Sequence, residues 1–312
     1  MELRYLRYFV AVAEEGHITR AAERLGMQQP PLSQRMRALE DELGVQLLRR
    51  RPRGVELTEA GRTLLIDARA ILAHLDHAFA ATRRTARGEQ GRIAVGFTSS
   101  APFHPFVPRV IRAFREAFPL VSLTLDESGT IELVDSLRRE SVDVAFVRTR
   151  VSDTEGLVVI PLLEEAMLVA VPRGHALAEG RGAVTLQALA GETFVVYRRP
   201  SGPGLYDAII AACHAAGFSP IVGQEAPRIV STLNLVAAGL GVCLVPASLQ
   251  RMHMDDVVYR RLRDAAQPRA PLLLATRRDD SSAVVRRFVE LTRRMARGFA
   301  QGHTETQQKH HT

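Results

Sequence analysis

Three features of this 312-residue chain predict an α/β fold headed by a small all-α winged helix-turn-helix. Two short helical patterns, broken at Gly26, lead into an arginine-rich turn from Arg49 to Gly54. One long amphipathic pattern then starts at Glu59. From Arg92 onward short apolar runs alternate with helical ones, the texture of an α/β domain.

The head can be built element by element. Ala21 and Ala22 carry no bulk beyond Cβ, so the helix from Thr19 to Leu25 can pack closely on its successor, and Gly26 tolerates a tight exit. Pro30 suits the opening of the second helix, whose first turn has no internal partner for the missing N–H. Leu32, Met36, Leu39 and Leu43 recur at helical spacing and predict a buried stripe. At about 100° per residue, Pro30, Gln34, Arg37 and Asp41 point away from it, with Gln29 and Ser33 on its flanks. Gln can bridge adenine N6 and N7, Arg can fork onto guanine O6 and N7, and Ser can reach a phosphate or a base. A solvated surface helix would carry the same polar face, so both readings stand at this point.

Val45 to Leu48 and Val55 to Leu57 read as two short strands, and the turn between them is expected to hold Arg49, Arg50, Arg51 and Arg53 apart from acidic residues. Guanidinium groups crowded on one tip repel unless an anion lies among them. Each phosphate neutralised steepens the salt dependence of binding by about 0.9 log units per log salt. The competing reading is a solvated run in an arginine-rich chain, since Lys309 is the only lysine among 41 basic residues. Where the arginines lie therefore weighs more than the net charge of +7.

The run from Met1 to Leu57 and just beyond contains Leu6-Arg7-Tyr8-Phe9-Val10-Ala11-Val12-Ala13, Ala21-Ala22, Gln29-Pro30-Pro31-Leu32-Ser33, Leu39-Glu40-Asp41-Glu42-Leu43-Gly44 and Leu57-Thr58-Glu59-Ala60-Gly61. In type, order and spacing it resembles the LysR-type transcriptional regulators, closely over the amino-terminal third and more loosely beyond. With the outward face, the resemblance makes Gln29, Pro30, Ser33, Gln34, Arg35, Arg37, Arg50, Arg51 and Arg53 the candidate contacts to double-stranded promoter DNA. The family often shows Ser-Arg-Gln where this chain has Ser33-Gln34-Arg35, so either Gln34 or Arg35 could be the base reader.

With 46% apolar residues the chain can bury substantial cores. Cys213 and Cys243 form neither a CxxC pair nor a metal motif, which predicts buried thiols in a reducing compartment. No apolar run approaches the ~20 residues of a membrane helix, and the start, with Glu2, Arg4 and Arg7, lacks a signal-peptide pattern. A cytoplasmic protein with no membrane partner is expected.

Thr58 can cap a helix from Glu59 to about Arg87, ended by Gly88 and Gly91. Leu64, Ala68, Ile71, Leu75 and Ala78 form a seam at coiled-coil spacing, widened by Leu65, Leu72 and Phe79. A rod of about 40 Å has few neighbours in its own chain to cover that seam, so a dimer through this helix is expected. An ordinary amphipathic helix packed on its own domain is the alternative.

In the α/β part, strands are expected at Ile93 to Phe97, Ser122 to Leu125, Val142 to Val147, Met167 to Val171, Phe194 to Tyr197, Gly241 to Val245 and Leu272 to Ala275. Helices are expected at Pro105 to Ala117, Ile131 to Glu140, Leu205 to Ala216, Ile229 to Ala238 and Ser281 to Arg297. The resemblance implies two subdomains similar to periplasmic solute-binding proteins, left near Pro161 and re-entered near Pro268, with an effector cleft between them at strand carboxyl ends. The expected division is a winged helix at 1–58, a linker helix at 59–90, and an effector-binding domain at 91–300. Subdomain I comprises 91–162 and 267–300, subdomain II 163–266, and a disordered tail covers 301–312.

Thr98, Ser99 and Ser100 follow the first strand of this domain, Gly129 and Thr130 follow the next, and hydroxyls at a helix entrance suit a carboxylate. Tyr197 to Gly204 and Arg228 to Thr232 supply loops from the other side. Relatives that sense small aromatic or dicarboxylic acids imply effector contacts at Ser99, Ser100, Thr130, Pro203, Ile229 and Thr232, and position in the pattern adds Thr98 and Tyr197. Ser and Thr also cap helices where no ligand binds. Arg148, after an apolar strand, could meet an anion or pair with Glu164 or Glu165, and the internal pair is the expectation.

Against an enzyme, the chain has no GxGxxG after a strand, no Walker sequence, no HExxH and no GxSxG, and it gives no reason to expect a cofactor or metal. The rival reading is an α/β small-molecule-binding protein or enzyme that carries a DNA-binding arm. The family resemblance further implies a tetramer that bends DNA and engages RNA polymerase.

Overall fold

The computed structural model describes residues 2–52, 54–148, 156–180, 182–263 and 267–308, with side chains described through Phe299. The chain divides into two compact units, Met1–Arg84 and Thr85–Thr312.

In the first unit, helices α1 (Leu3–Glu15), α2 (Ile18–Arg24) and α3 (Gln29–Leu43) precede a hairpin of β1 (Leu48–Arg51) and β2 (Gly54–Leu57), then α4 (Glu59–Ala86). Leu6, Phe9, Val12, Ala21, Ala22, Leu32, Met36, Leu39 and Leu47 form the core, and Ala68 of α4 joins it. Leu43, expected in the buried stripe, is instead 42% exposed, because Gly44 ends α3 in the left-handed region and the chain turns away. The first strand starts later than expected. Glu40 Oε1 accepts from the Leu47 and Leu48 backbone N–H groups at 2.8 and 3.0 Å, so that stretch is tied to α3 before pairing begins at Leu48. The register Leu48↔Leu57 to Arg51↔Gly54 puts Arg49, Arg50 and Arg51 in the strand rather than in the turn. Gly54 sits at φ +142°, and a Cβ there would lie 2.2 Å from the Gly16 carbonyl oxygen.

Helix α4 is capped as expected, with Gly61 N–H donating to Thr58 Oγ1 at 2.9 Å. Its seam is partly covered within the unit: Leu64, Leu65 and Leu72 pack on the core, whereas Ile71 and Phe79 are exposed.

The second unit contains the sheet β10-β6-β11-β5-β3-β4, with β9 also paired to β6. Its strands are β3 (Gln90–Phe97), β4 (Leu120–Glu127), β5 (Val144–Val147), β6 (Leu157–Pro172), β7 (Thr193–Tyr197), β8 (Ile221–Ala226), β9 (Cys243–Pro246), β10 (Val257–Arg261) and β11 (Arg269–Arg277). Helices α5 (Phe106–Ala117), α6 (Thr130–Arg138), α7 (Pro203–Ala215), α8 (Ile229–Ala237) and α9 (Ala283–Gln308) fall where helical spacing predicts them. Two strands went unforeseen. β8 carries Gly223-Gln224-Glu225 and is exposed along five of its six residues, so it has no alternating signature. β10 contains Arg260, buried because its guanidinium donates to the carbonyls of Leu177, Glu179 and Gly182 at 2.5–2.7 Å.

Strand β6 is 16 residues long and serves two neighbourhoods. Leu157 to Ala166 pair with β11, and from Met167 onward it pairs with β9 and β10. The exit expected at Pro161 therefore lies inside a continuous strand, opposite a register shift at Leu272/Leu273. Three buried clusters result. One is built around Ile93, Phe106, Phe146, Leu274 and Phe288, a smaller one around Leu133, Leu137, Val142 and Leu157, and the third around Met167, Phe194, Leu233, Val242 and Leu249. The tail expected to be disordered from 301 is helical to Gln308, since each added residue of a nucleated helix gains one backbone bond; residues 309–312 lie outside the described residues.

Gly61→Ala pits helix propensity against contact. The propensity gain is about 1 kcal/mol, but the new Cβ would stand 2.2 Å from the backbone oxygen of Leu47. A net loss of about 1–3 kcal/mol is expected, read as a lower denaturation midpoint of this unit, and a raised midpoint would contradict it.

Candidate nucleic-acid interface and effector cleft

The outward face of α3 forms one wall of a groove of about 910 Å³, which Ser33, Arg37, Glu40 and Asp41 share with Arg49, Arg50 and Arg51 of the hairpin. Gln29, Pro30, Gln34 and Arg37 are exposed. Gln29 Nε2 donates to Ser33 Oγ at 2.8 Å, which pre-orders the first turn of the helix. Arg35 is drawn off this face: its Nη1 donates to the Tyr5 hydroxyl at 2.7 Å, and its guanidinium stacks 5.4 Å from that ring's centroid. Arg51 forks onto Glu56 Oε2 at 2.9 and 2.7 Å, which holds that carboxyl below its usual range. The expected isolation of the wing arginines from acids is thus corrected, because antiparallel pairing brings Glu56 across to β1. Arg53 lies outside the described residues.

The residues expected to line the effector cleft follow strand ends. β3 pairs in parallel with β4 on one side and β5 on the other. Thr98, Thr130 and Arg148 therefore follow the carboxyl ends of three adjacent strands. All three are buried, and the hydroxyls of Thr98 and Thr130 and the Nε and Nη1 of Arg148 have no hydrogen-bond partner among the described residues. Arg148 Nη2 pairs with Glu165 Oε1 at 2.6 Å, as the internal-pair expectation held, and also donates to the Ser100 carbonyl at 3.3 Å. Glu165 accepts from Ser248 N–H and Oγ–H at 2.7 and 3.0 Å. Burial lowers the affinity of the Arg148 guanidinium for its proton, and Glu165 opposes that shift. Glu164 instead faces Arg269 at 3.4 Å.

The opposite side is braced internally. Thr232 Oγ donates to the Ile229 carbonyl at 2.6 Å, and the Tyr197 hydroxyl donates to the Gly202 carbonyl at 3.0 Å. Burial pushes that phenol well above its ordinary value. Pro203 opens α7, and Ile229, buried, opens α8. Ser99 is half-buried and Ser100 buried at the entrance after β3. Sequence reasoning could not foresee Ser248 as a partner of Glu165, because 83 residues separate them. Both cysteines are free and buried, and burial pushes Cys243 up to about 12. Among the described residues no His, Cys, Asp and Glu group could hold a metal ion, and no helix is long and apolar enough to cross a membrane.

A helix-turn-helix with a basic hairpin, followed by an α/β unit with open donors at its strand ends, defines a DNA-binding transcriptional regulator with an effector-binding domain. Residues 3–62 match the family described as "Bacterial regulatory helix-turn-helix protein, lysR family", and residues 86–297 match "LysR substrate binding domain". The chain belongs to the LysR family of transcriptional regulators. It is 40% identical to the HTH-type transcriptional regulator BudR of Raoultella terrigena, over 93% of this chain and 100% of that protein. It is 37% identical to the HTH-type transcriptional regulator CatR of Pseudomonas putida, over 95% of this chain and 100% of that protein. Full-length CbnR, solved in complex with its target DNA, superposes with a TM-score of 0.82 at 31% identity, over 95% of this chain and 100% of that one. BudR and CatR are both described as transcriptional regulators.

Proposed function

We propose that this regulator is switched by a small organic acid, aromatic or dicarboxylic, whose carboxylate is received at the carboxyl ends of β4, β3 and β5. The observation that carries this reading is the buried Arg148, with Nε and Nη1 unpartnered, together with the unpartnered hydroxyls of Thr98 and Thr130. A buried donor left unsatisfied costs about 1–3 kcal/mol, and a carboxylate with its several acceptor sites answers such donors together. Ser99 and Ser100 extend the receptor, whereas Tyr197, Pro203, Ile229 and Thr232 shape the facing wall. No cofactor and no catalytic step is part of this reading.

Promoter DNA is contacted by Gln29, Pro30, Ser33, Gln34 and Arg37 in the major groove, with Arg50 and Arg53 on phosphates. Arg35 fixes α3 against Tyr5, which leaves Gln34 as the base reader. Exposed Ile71 and Phe79 of α4 belong to the dimer seam, and two dimers make a tetramer that acts on RNA polymerase in the cytoplasm. The working division is 1–58 for DNA, 59–90 for the linker and 91–300 for the effector. The acid must bind one arrangement of the subunits more tightly than the other, or nothing shifts.

Gln34→Ala is expected to lose about 1–3 kcal/mol of discrimination between operator and mismatched duplex. Arg50→Ala should weaken all duplexes alike and flatten the salt slope by about 0.9. Fluorescence anisotropy across a salt series reads both, and full operator discrimination by Gln34→Ala would contradict the assignment. Operator footprints should shorten when a bound acid such as benzoate is added, whereas a footprint indifferent to every acid that binds would remove the coupling.

A further inference from the structure

The α/β unit has two halves joined covalently through β6 and the segment leading into β11, and by the β6–β11 ladder beside that crossing; away from it, ties between the halves are few. One such contact stands at the lips of the cleft. Glu127 ends β4, three residues before Thr130. Arg228 immediately precedes α8, four residues before Thr232. Arg228 Nη1 meets Glu127 Oε1 at 2.6 Å across 101 residues of chain. Beside this pair the backbones nearly touch, because a Cβ at Gly129 would lie 3.3 Å from the Cα of Ser201. Ser201 is in turn held by its hydroxyl on the Pro227 carbonyl at 2.9 Å. Among the described residues, the other ion pairs joining the two halves, Arg148–Glu165 and Arg269–Glu164, both involve β6, whereas Glu127–Arg228 bridges lip to lip.

We infer that the Glu127–Arg228 ion pair is a latch that holds the lips of the effector cleft together, and that it must break for the cleft to open. Both side chains are nearly half exposed, so the latch is weak and responds to salt. A weak latch suits the task. An exposed pair of this kind biases an open–closed equilibrium by up to about fivefold, enough to favour the closed form without trapping it. An acidic ligand arriving at the cleft meets Arg228 at the entrance and competes with Glu127 for it.

The inference rests on reading the cleft as the effector site, but its test needs neither effector nor DNA, so its failure is separate from that of the effector reading. Spin labels at Asp135→Cys on α6 and Asn234→Cys on α8, both exposed positions, report the lip-to-lip distance in the full-length protein. Native Cys213 and Cys243 are 0% and 2% exposed and escape labelling. Pulsed dipolar distances are expected to shift toward longer values, by a change in population of up to about fivefold, with Glu127→Arg or with Arg228→Glu. The charge-swapped double variant should return to the original distribution, and raised salt should reproduce part of the single-variant shift. Unchanged distances in both single variants would overturn the latch, as would a double variant that stays open while remaining folded by circular dichroism.

Discussion

The constraint on which the α/β unit depends is that β6 belongs to two neighbourhoods at once. A strand of 16 residues pairs with β11 along its first part and with β9 and β10 along its last. The hydrophobic cores of the two halves are therefore linked through hydrogen-bonded backbone rather than a loose tether. Such a connection can bend but cannot slide without losing ladder bonds, so relative movement of the halves is confined to opening and closing. The proposed cleft depends on the same arrangement, because β4, β3 and β5 run in parallel and bring their carboxyl ends together.

Charge at those ends is distributed unevenly. Burying a guanidinium costs several kcal/mol unless it is paired, and Glu165 with Ser248 supplies one side of that pairing. The other side of Arg148 stays open, as do the hydroxyls of Thr98 and Thr130. On the facing wall Tyr197 and Thr232 spend their hydroxyls on nearby carbonyls. One half thus offers donors and the other spends its hydroxyls internally, an arrangement that, on the proposed reading, would orient an anion without symmetry between the lips.

Much of this was legible in the sequence where spacing is local. The Ala21-Ala22 helix, the proline-led α3, the Thr58 cap and the main helices of the α/β unit each depend on residues within a turn or two of one another. What escaped depends on partners distant in the chain. The wing register is set by Glu40 reaching Leu47 and Leu48, and Glu56 is brought to Arg51 by pairing that no periodicity encodes. β10 hides a buried arginine whose carbonyl partners lie some eighty residues earlier. The sequence places Thr98 and Thr130 after strand ends, but only the structure separates their unpartnered hydroxyls from the spent ones of Tyr197 and Thr232.

The central claim is that the cleft recognises a negative charge through Arg148 and the two open threonines. Calorimetric titration of the full-length protein with a carboxylic acid that raises its melting temperature, and with the matching carboxamide, tests it most directly; benzoate against benzamide is one such pair. The account predicts that the acid binds at least about tenfold more tightly than the amide, the difference expected for a charge-assisted hydrogen bond, and that Arg148→Met abolishes the preference. An amide that binds as tightly as its acid, or an Arg148→Met protein that keeps the preference, would contradict it.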